Sequence, residues 1–398
     1  MNRADSGTRR GDRTGATGAH SAGGAGANLR ALRGHNAAVV LDLLRSAGDD
    51  GVSRLELADR AGLTPQAVSK IVARLRDEGL VADAGRRAST GGKPAAVLRL
   101  VPDAGYAVGL HLDRDALVVV LVDLAGGVAA ERRAALDFGA GADAVVDVAA
   151  REVGALVAAA PGGVLGVGAA LPGPLDHGTG VLHRVTGFPS WDGYPLRDAL
   201  AARLDLPVVV DKDTNAAALG LALAGVAESF AYLHLGTGLG AGLVLGGGLH
   251  RGARTGAGEF GHQVVQLDGP PCACGDRGCL EALCLAAVAR GDLDEAARVL
   301  GTGAGNLVSL LDIDLVLLGG RVVGGAVEVF VRGVGAVVAA RARREGARVA
   351  AGVAVAPGGE RVVAEGAAQL VLAPVFGRAA LAGAPQTRPF PKLGGSAP

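Results

Sequence analysis

A histidine and three cysteines spaced H-x9-C-x-C-x4-C constrain this chain more than any other feature, because His262, Cys272, Cys274 and Cys279 must converge if they share one ion. One neutral imidazole and three thiolates complete a tetrahedral Zn²⁺ shell with no open position, the make-up of a structural zinc site. Gly275 and Gly278 allow the tight turns that bring three thiolates together. The spacings are not those of a disulfide framework, and the first residues carry charges but no apolar core of a secretory signal. A reduced, cytoplasmic setting with bound zinc is the expectation. Cys284 falls outside the pattern and reads as a small buried hydrophobe.

The 398 residues suffice for two or three domains. Only 3% are aromatic, so Val, Leu and Ala must fill the cores, and no apolar run reaches the ~20 residues that span a bilayer. Residues 1–28 are largely Gly, Ala, Ser, Thr and Arg without periodicity, residues 382–398 read the same way, and both are expected to be disordered tails. Between them, residues 29–103 begin with helical spacing. Residues 104–381 alternate apolar runs (AVGLHLDRDALVVVLVD, GVLGVGAAL, LPVVVD, FAYLHLGTGLGAGLVLG, LVLLGG) with helical patterns, which predicts an α/β region built on largely parallel sheets.

The formal net charge of zero conceals an uneven spread, with 16 Lys and Arg against 10 Asp and Glu in residues 1–100. A basic front fits a nucleic-acid-binding module, since phosphate neutralisation supplies much of such affinity, though a solvated basic tail would give the same count. The local signals are sharper. Val39, Val40, Leu43 and Leu44 mark one helix. Ser53 with Glu56 forms a capping box that opens a second, Gly62 breaks the chain, and Thr64-Pro65 caps a third running to Gly79. Two short helices around a glycine turn make a helix-turn-helix. Val68, Ile71, Val72 and Leu75 would face its core, leaving Thr64, Gln66, Ser69, Lys70 and Arg74 outward. Near the start of a recognition helix, Gln66, Ser69 and Lys70 are placed to read base edges, and Arg74 to hold phosphate. LVADAG and AAVLRL can pair as a wing whose tip carries Arg86, Arg87 and Lys93 toward the backbone or minor groove.

The stretch LGTGLGAGLVLGGGLHRGARTGAGEFGH, followed by CACGDRGCLE, resembles the ROK family (repressors, open reading frames and kinases) over some fifty uninterrupted residues. A looser resemblance extends over about residues 30 to 380 and includes the helix-turn-helix of the family's repressors. It implies two actin-like ATPase lobes around a cleft, assembled as a homodimer or homotetramer. It further implies sugar contacts at Glu259, His262, Glu281 and Asp213, with Asn215 as the later Asn of the same segment, Asp213 being the base that takes the sugar hydroxyl's proton in the kinases. The zinc loop would hold His262 and Glu281 rigid at the cleft.

Several positions depart from the family pattern. Lys212 stands where an Asn usually precedes the catalytic Asp, and Gly187 where a sugar-contacting Asn precedes the Trp of FPSWDGYPL. Lys212 either favours an anionic sugar or pairs with a neighbouring acid. The kinases' Asp-x-Gly-Gly-Thr phosphate loop is replaced by His111, Asp113, Arg114 and Asp115, whose carboxylates would repel a triphosphate, so ATP is not expected. The segment from Glu281 to Gly303 is also short for the family. The expectation is a ligand-responsive DNA-binding regulator of carbohydrate genes, binding a double-stranded operator and a sugar effector with no membrane contact. The alternative is an active sugar kinase carrying a DNA-binding head.

Overall fold

The computed structural model describes residues 29–87, 95–346 and 349–378, so both expected tails and Lys93 lie outside the described residues. The head begins with α1 (Leu29–Ala47), β1 (Val52–Ser53), α2 (Arg54–Ala61) and α3 (Pro65–Asp77), and ends with β2 (Val81–Arg87) and β3 (Ala95–Leu100). The capping box at Ser53 forms in both directions, Glu56 N donating to Ser53 Oγ at 3.3 Å and Ser53 N to Glu56 Oε2 at 2.7 Å. Gly62 takes φ 63°, the left-handed turn that lets α3 leave at an angle, and Thr64 Oγ1 accepts from Ala67 N at 3.3 Å. Val68, Val72 and Leu75 are buried as their spacing predicts; Ile71 is only half-buried. The wing is an antiparallel hairpin, to which the two residues of β1 add a third strand that is too short to announce itself in sequence.

Behind the head lie two sheets of five strands. The first contains β4 (Tyr106–Leu112), β5 (Ala116–Asp123), β6 (Val128–Ala135), β7 (Val164–Leu171) and, after a small hairpin of β8 (Leu175–Asp176) and β9 (Val181–Leu182), β10 (Val208–Lys212). Helices α4 (Ala142–Ala159) and α5 (Leu196–Leu204) make its crossovers, and Phe138 and Trp191 stack within its core at 4.1 Å. After α6 (Asp213–Leu223), the second sheet gathers β11 (Phe230–Leu235), β12 (Leu239–Leu245), β13 (Gly248–Leu249), β14 (Leu315–Gly319) and β15 (Gly352–Val355). Its crossovers are α7 (Leu280–Ala289), α8 (Leu293–Leu311), the short α9 (Arg321–Gly324) and α10 (Val327–Glu345), and α11 (Val362–Leu372) is the last α-helix among the described residues. In both sheets a three-stranded antiparallel meander is extended by two parallel strands on its first strand, in the orders β6-β5-β4-β7-β10 and β13-β12-β11-β14-β15. The two lobes are one topology used twice. Strands β4 and β5 are buried almost throughout, which explains their unbroken apolar sequence.

The lobes exchange their final helices. Helix α6 leaves the first sheet and packs on β11 and β12 of the second; α11 leaves the second sheet and packs on β4 and β7 of the first. Glycines let each layer approach the next: a Cβ at Gly109 of β4 would collide with the Ala364 carbonyl of α11, one at Gly366 of α11 with the Ala216 carbonyl of α6, and one at Gly242 of β12 with the Thr214 carbonyl of α6. Sheet, helix, helix and sheet are thereby stacked with backbone in contact.

The head is built onto this stack. Val40, Leu41 and Leu44 of α1 share one core with Ala364, Ala368, Val371, Leu372 and Phe376. Burying the three α1 side chains contributes on the order of 5 kcal/mol before entropy is set against it.

Candidate functional site

Between the lobes opens a cleft of about 590 Å³, part of it continuous with solvent. The first residue of α6 brings Asp213 to its wall, and Glu259, His262 and Glu281 line it from the second lobe. Asn215 does not reach it: the side chain is buried and its Nδ2 donates to Asp211 Oδ1 at 2.8 Å. Asp211 is the hub of a buried network, accepting also from Lys212 N at 2.8 Å and from Arg251 Nε and Nη2 at 2.8 and 2.7 Å. This network fixes the β10–α6 junction and ties it to the loop that leads to Glu259.

Lys212 resolves as an internal partner. Its side chain is only 3% exposed, and Nζ donates to Glu259 Oε1 at 3.0 Å and to the Ala257 carbonyl. Of the two uses open to it in sequence, pairing with an acid is the one realised. Gly187 takes φ 85° and is exposed, and its neighbour Thr186 lines the cleft instead. Trp191 is fully buried, with Nε1 donating to the Phe138 carbonyl at 3.1 Å.

On the opposite side of the cleft the β4–β5 hairpin binds the second lobe directly. Asp113 Oδ1 accepts from Thr237 Oγ1 at 2.7 Å, Arg321 Nη2 lies 2.6 Å from Asp115 Oδ1 and 3.4 Å from Asp113 Oδ2, and Arg114 Nη1 donates to the Thr237 carbonyl at 3.3 Å. Burial works against the Asp113 carboxylate, yet the Thr237 hydroxyl, the nearby histidines and the Arg114 amide hold its pKa below the usual range. Beneath the hairpin, burial pushes His111 down to about 4, so the ring is neutral, and its Nε2 has no hydrogen-bond partner among the described residues. The glycine turn Gly236–Gly238 survives as the β11–β12 connection, with Gly236 N donating to Gly238 O at 3.0 Å.

Beside the cleft the four predicted ligands come together, with one donor atom from each of His262, Cys272, Cys274 and Cys279 within 4.8 Å of the others. Cys274 Sγ and Cys279 Sγ are 3.7 Å apart, and His262 Nδ1 is 3.7 Å from Cys272 Sγ. A tetrahedron with Zn–S bonds of about 2.3 Å has sulfur edges of about 3.8 Å, so the donor set fits that ion. Gly275 and Gly278 have positive φ, and at Gly278 a side chain would also strike the Gln266 carbonyl. Cys279 then serves as the residue before α7, whose first turn carries Glu281; Glu281 Oε2 accepts from Leu239 N at 2.8 Å at the foot of the glycine turn. Cys284 is buried outside the cluster, its Sγ near the Ala296 carbonyl.

In the head, α3 presents Gln66, Ser69, Lys70 and Arg74 to solvent; Arg74 is 3.8 Å from Glu78, and Thr64 spends its hydroxyl on the cap. Arg86 and Arg87 close β2.

A head of this shape joined to this cleft and cluster agrees with the family models: residues 40–82 match "Winged helix-turn-helix DNA-binding" and residues 107–290 match "ROK family". The chain carries a ROK family domain behind a winged helix-turn-helix. The chain is 29% identical over 236 residues to the xylose repressor of Bacillus subtilis, an alignment covering 58% of this chain and 61% of that relative, less than two thirds of its length. Among solved structures, a ROK family transcriptional regulator described as a homologue of the E. coli MLC protein superposes with TM-score 0.70 at 22% identity, over 87% of this chain and 98% of the other. At that identity the likeness establishes the fold, head included. A ROK family glucokinase from Streptomyces griseus, solved with glucose and AMPPNP, gives TM-score 0.55 at 29% identity, over 67% of this chain and 99% of its own. No described helix of the chain is long and apolar enough to cross a membrane.

Thr186, His234 and the Asp211–Arg251 pair were not singled out from sequence. Arg251 sits in a Gly-rich loop forty residues from its partner, and no spacing rule connects the two.

Proposed function

We propose that this protein is a sugar-responsive, DNA-binding repressor whose ROK domain senses the ligand and no longer transfers phosphate. One observation carries the reading: the sugar side of the cleft keeps Asp213, Glu259, His262 and Glu281, while the hairpin opposite is occupied by contacts of Asp113 and Asp115 with Thr237 and Arg321. A nucleotide triphosphate placed there would have to displace those bonds and meet two carboxylates; phosphoryl transfer depends on positioning and charge stabilisation that such a wall opposes. The xylose repressor relative supports the same direction, and with the glucokinase structure solved with glucose it makes xylose and glucose the ligands to try first.

In this reading Gln66, Ser69 and Lys70 touch bases, and Arg74 with Arg86, Arg87 and Lys93 touches phosphates, while a dimer sets two heads on one operator. Asp213, Glu259 and Glu281 accept hydrogen bonds from sugar hydroxyls. Lys212 leaves Glu259 half-exposed but neutralised, which favours an uncharged sugar over an acidic one. Zinc bound by His262, Cys272, Cys274 and Cys279 supplies rigidity; with Nδ1 of His262 toward the cysteines, its Nε2 is left for the cleft. The expected compartment is the cytoplasm.

The test is fluorescence anisotropy of an operator duplex, selected from random DNA, titrated with D-xylose, D-glucose, glucose 6-phosphate and gluconate. A neutral sugar that weakens operator binding is the expected result; no change with any of them removes the sugar-sensor reading. Sugar-dependent ATP consumption abolished by Asp213→Ala would restore the kinase alternative, which the retained Asp213 and Gly236–Gly242 loop favour.

A further inference from the structure

Because α6 lies on the second sheet and α11 on the first, a change in the angle between the lobes is a displacement of α6 against α11. Among the described residues, the head's hydrogen bonds and ion pairs to this joint fall on one side of it. In addition to the core it shares with α11, Arg45 of α1 donates through Nε to the Ala125 carbonyl of the β5–β6 turn at 3.3 Å and through Nη2 to Gln369 Oε1 of α11 at 3.1 Å. Its guanidinium lies 4.7 Å over the Phe376 ring, and Arg378 grips both carboxylate oxygens of Asp42 at 3.1 and 2.8 Å. Every one of these partners belongs to the first lobe or to the segment that continues α11.

Among the described residues, the second lobe faces the head across a gap open to solvent. The C-terminal end of α6, from Gly220 to Ala224, stands opposite Asp42, Arg45 and Ser46 across a cavity of about 1090 Å³. The other end of α6 is Asp213 in the cleft. One straight helix of eleven residues, about 16 Å long, therefore reaches from the sugar-facing wall to the gap beneath the head. The close contact at Gly242 of β12 leaves no side-chain cushion between α6 and the second sheet, so α6 moves as a rigid bar with that lobe, and Gly366 lets the α11 backbone lie directly against it.

We propose that Arg45, with the Asp42–Arg378 pair, clamps the head to the first lobe, so that the lobe angle selected by ligand is transmitted as a rotation of the head relative to the second lobe, the α6 tip sweeping the gap. The proposal rests on the sugar-sensor reading and specifies how that site regulates DNA binding. Arg45 is a positioning residue: it touches neither DNA nor sugar. Loosening it leaves both sites intact and breaks the communication between them. Filling the gap blocks the sweep with the same result.

The experiment compares the full chain with Arg45→Met, which keeps the buried stem and removes the guanidinium, and with Ala224→Trp, which puts a bulky ring on the exposed wall of the gap. For each, operator Kd is measured with and without D-xylose or D-glucose, and sugar binding is followed separately by thermal shift. The wild-type response should lie in the about 5- to 150-fold range usual for allosteric coupling. In both variants it should fall to within about twofold, while free-state operator binding and the sugar's thermal shift persist. A wild-type-sized response in both variants overturns the clamp and leaves the sugar-sensor reading standing. A wild-type chain that is stabilised by sugar yet unchanged in operator Kd overturns both. Loss of operator binding by both variants without sugar means that the joint merely holds the head in shape, and overturns the clamp as well.

Discussion

Arg251→Met removes the cation from the Asp211 network and keeps most of the side-chain volume. Asp211 and Arg251 are 2% and 8% exposed at the side chain, so water cannot replace the guanidinium. Two charge-assisted bonds to Asp211 Oδ2 are lost, while Lys212 N and Asn215 Nδ2 still donate to Oδ1. Removing one partner of a buried pair costs about 3–5 kcal/mol, because the survivor stays desolvated. The ROK domain unfolding as a unit of about 270 residues loses about 2 °C per kcal/mol, so melting should fall by about 6–10 °C in calorimetry. Pairing the change with Asp211→Asn should recover most of the loss. The neutral amide no longer needs a counter-charge and gives up only about 1 kcal/mol in acceptor bonds. A drop below about 2 °C for Arg251→Met, or a double variant no better than the single, would refute a charged buried hub at this junction.

Three further outcomes follow from the site. His111 is held near 4, below the 6.5 of an unhindered imidazole, so the unfolded chain binds its proton first. Stability is full above pH 6.5 and declines as pH falls toward 4, by about 3 kcal/mol at about 1.4 kcal/mol per pH unit; His111→Gln should flatten urea titrations over that window. One zinc per chain is expected by elemental analysis, and with zinc at a thousandfold excess over its Kd the native state gains about 4 kcal/mol, so a chelator or Cys279→Ser should lower melting by several degrees; metal-free protein that melts unchanged would dismiss a structural ion. In the head, Arg74→Ala should reduce the salt slope of operator binding by about 1 on a log–log plot at every sequence, whereas Gln66→Ala should cost about 1–3 kcal/mol and relax preference at a single base pair.

Local signals carried the reading of the head. Capping residues and a turn glycine act through bonds within three or four residues, so Ser53, Glu56, Gly62 and Thr64 could be read directly and the helices followed. The metal cluster was legible for the same reason, since its ligands lie within eighteen residues of chain. What the sequence hid is non-local. Asn215 sits four residues after Asp211 across the β10–α6 junction, and nothing in its neighbourhood says that its amide turns inward to that carboxylate rather than out to the cleft. Lys212 left two partners open because Glu259 comes from forty-seven residues away. The repetition of one sheet order in two lobes leaves no trace in residue identity, because apolar strands specify burial and not neighbours. The third strand of the wing is two residues long, below any periodicity.

The helix exchange has a consequence for how the chain comes to be made. The last strand of the first sheet ends at Lys212, but the helix that covers its inner face begins only at Val362, about 150 residues later. At about 5–20 residues per second that face, with Gly109 and Gly168 stripped of their partner backbone, stays bare for roughly 8–30 seconds on the ribosome. Helix α1, made before either sheet, waits longer still for Leu372 and Phe376. Neither half of the chain can finish alone, and a nascent chain of this design needs shelter for its apolar surface until the closing helix arrives.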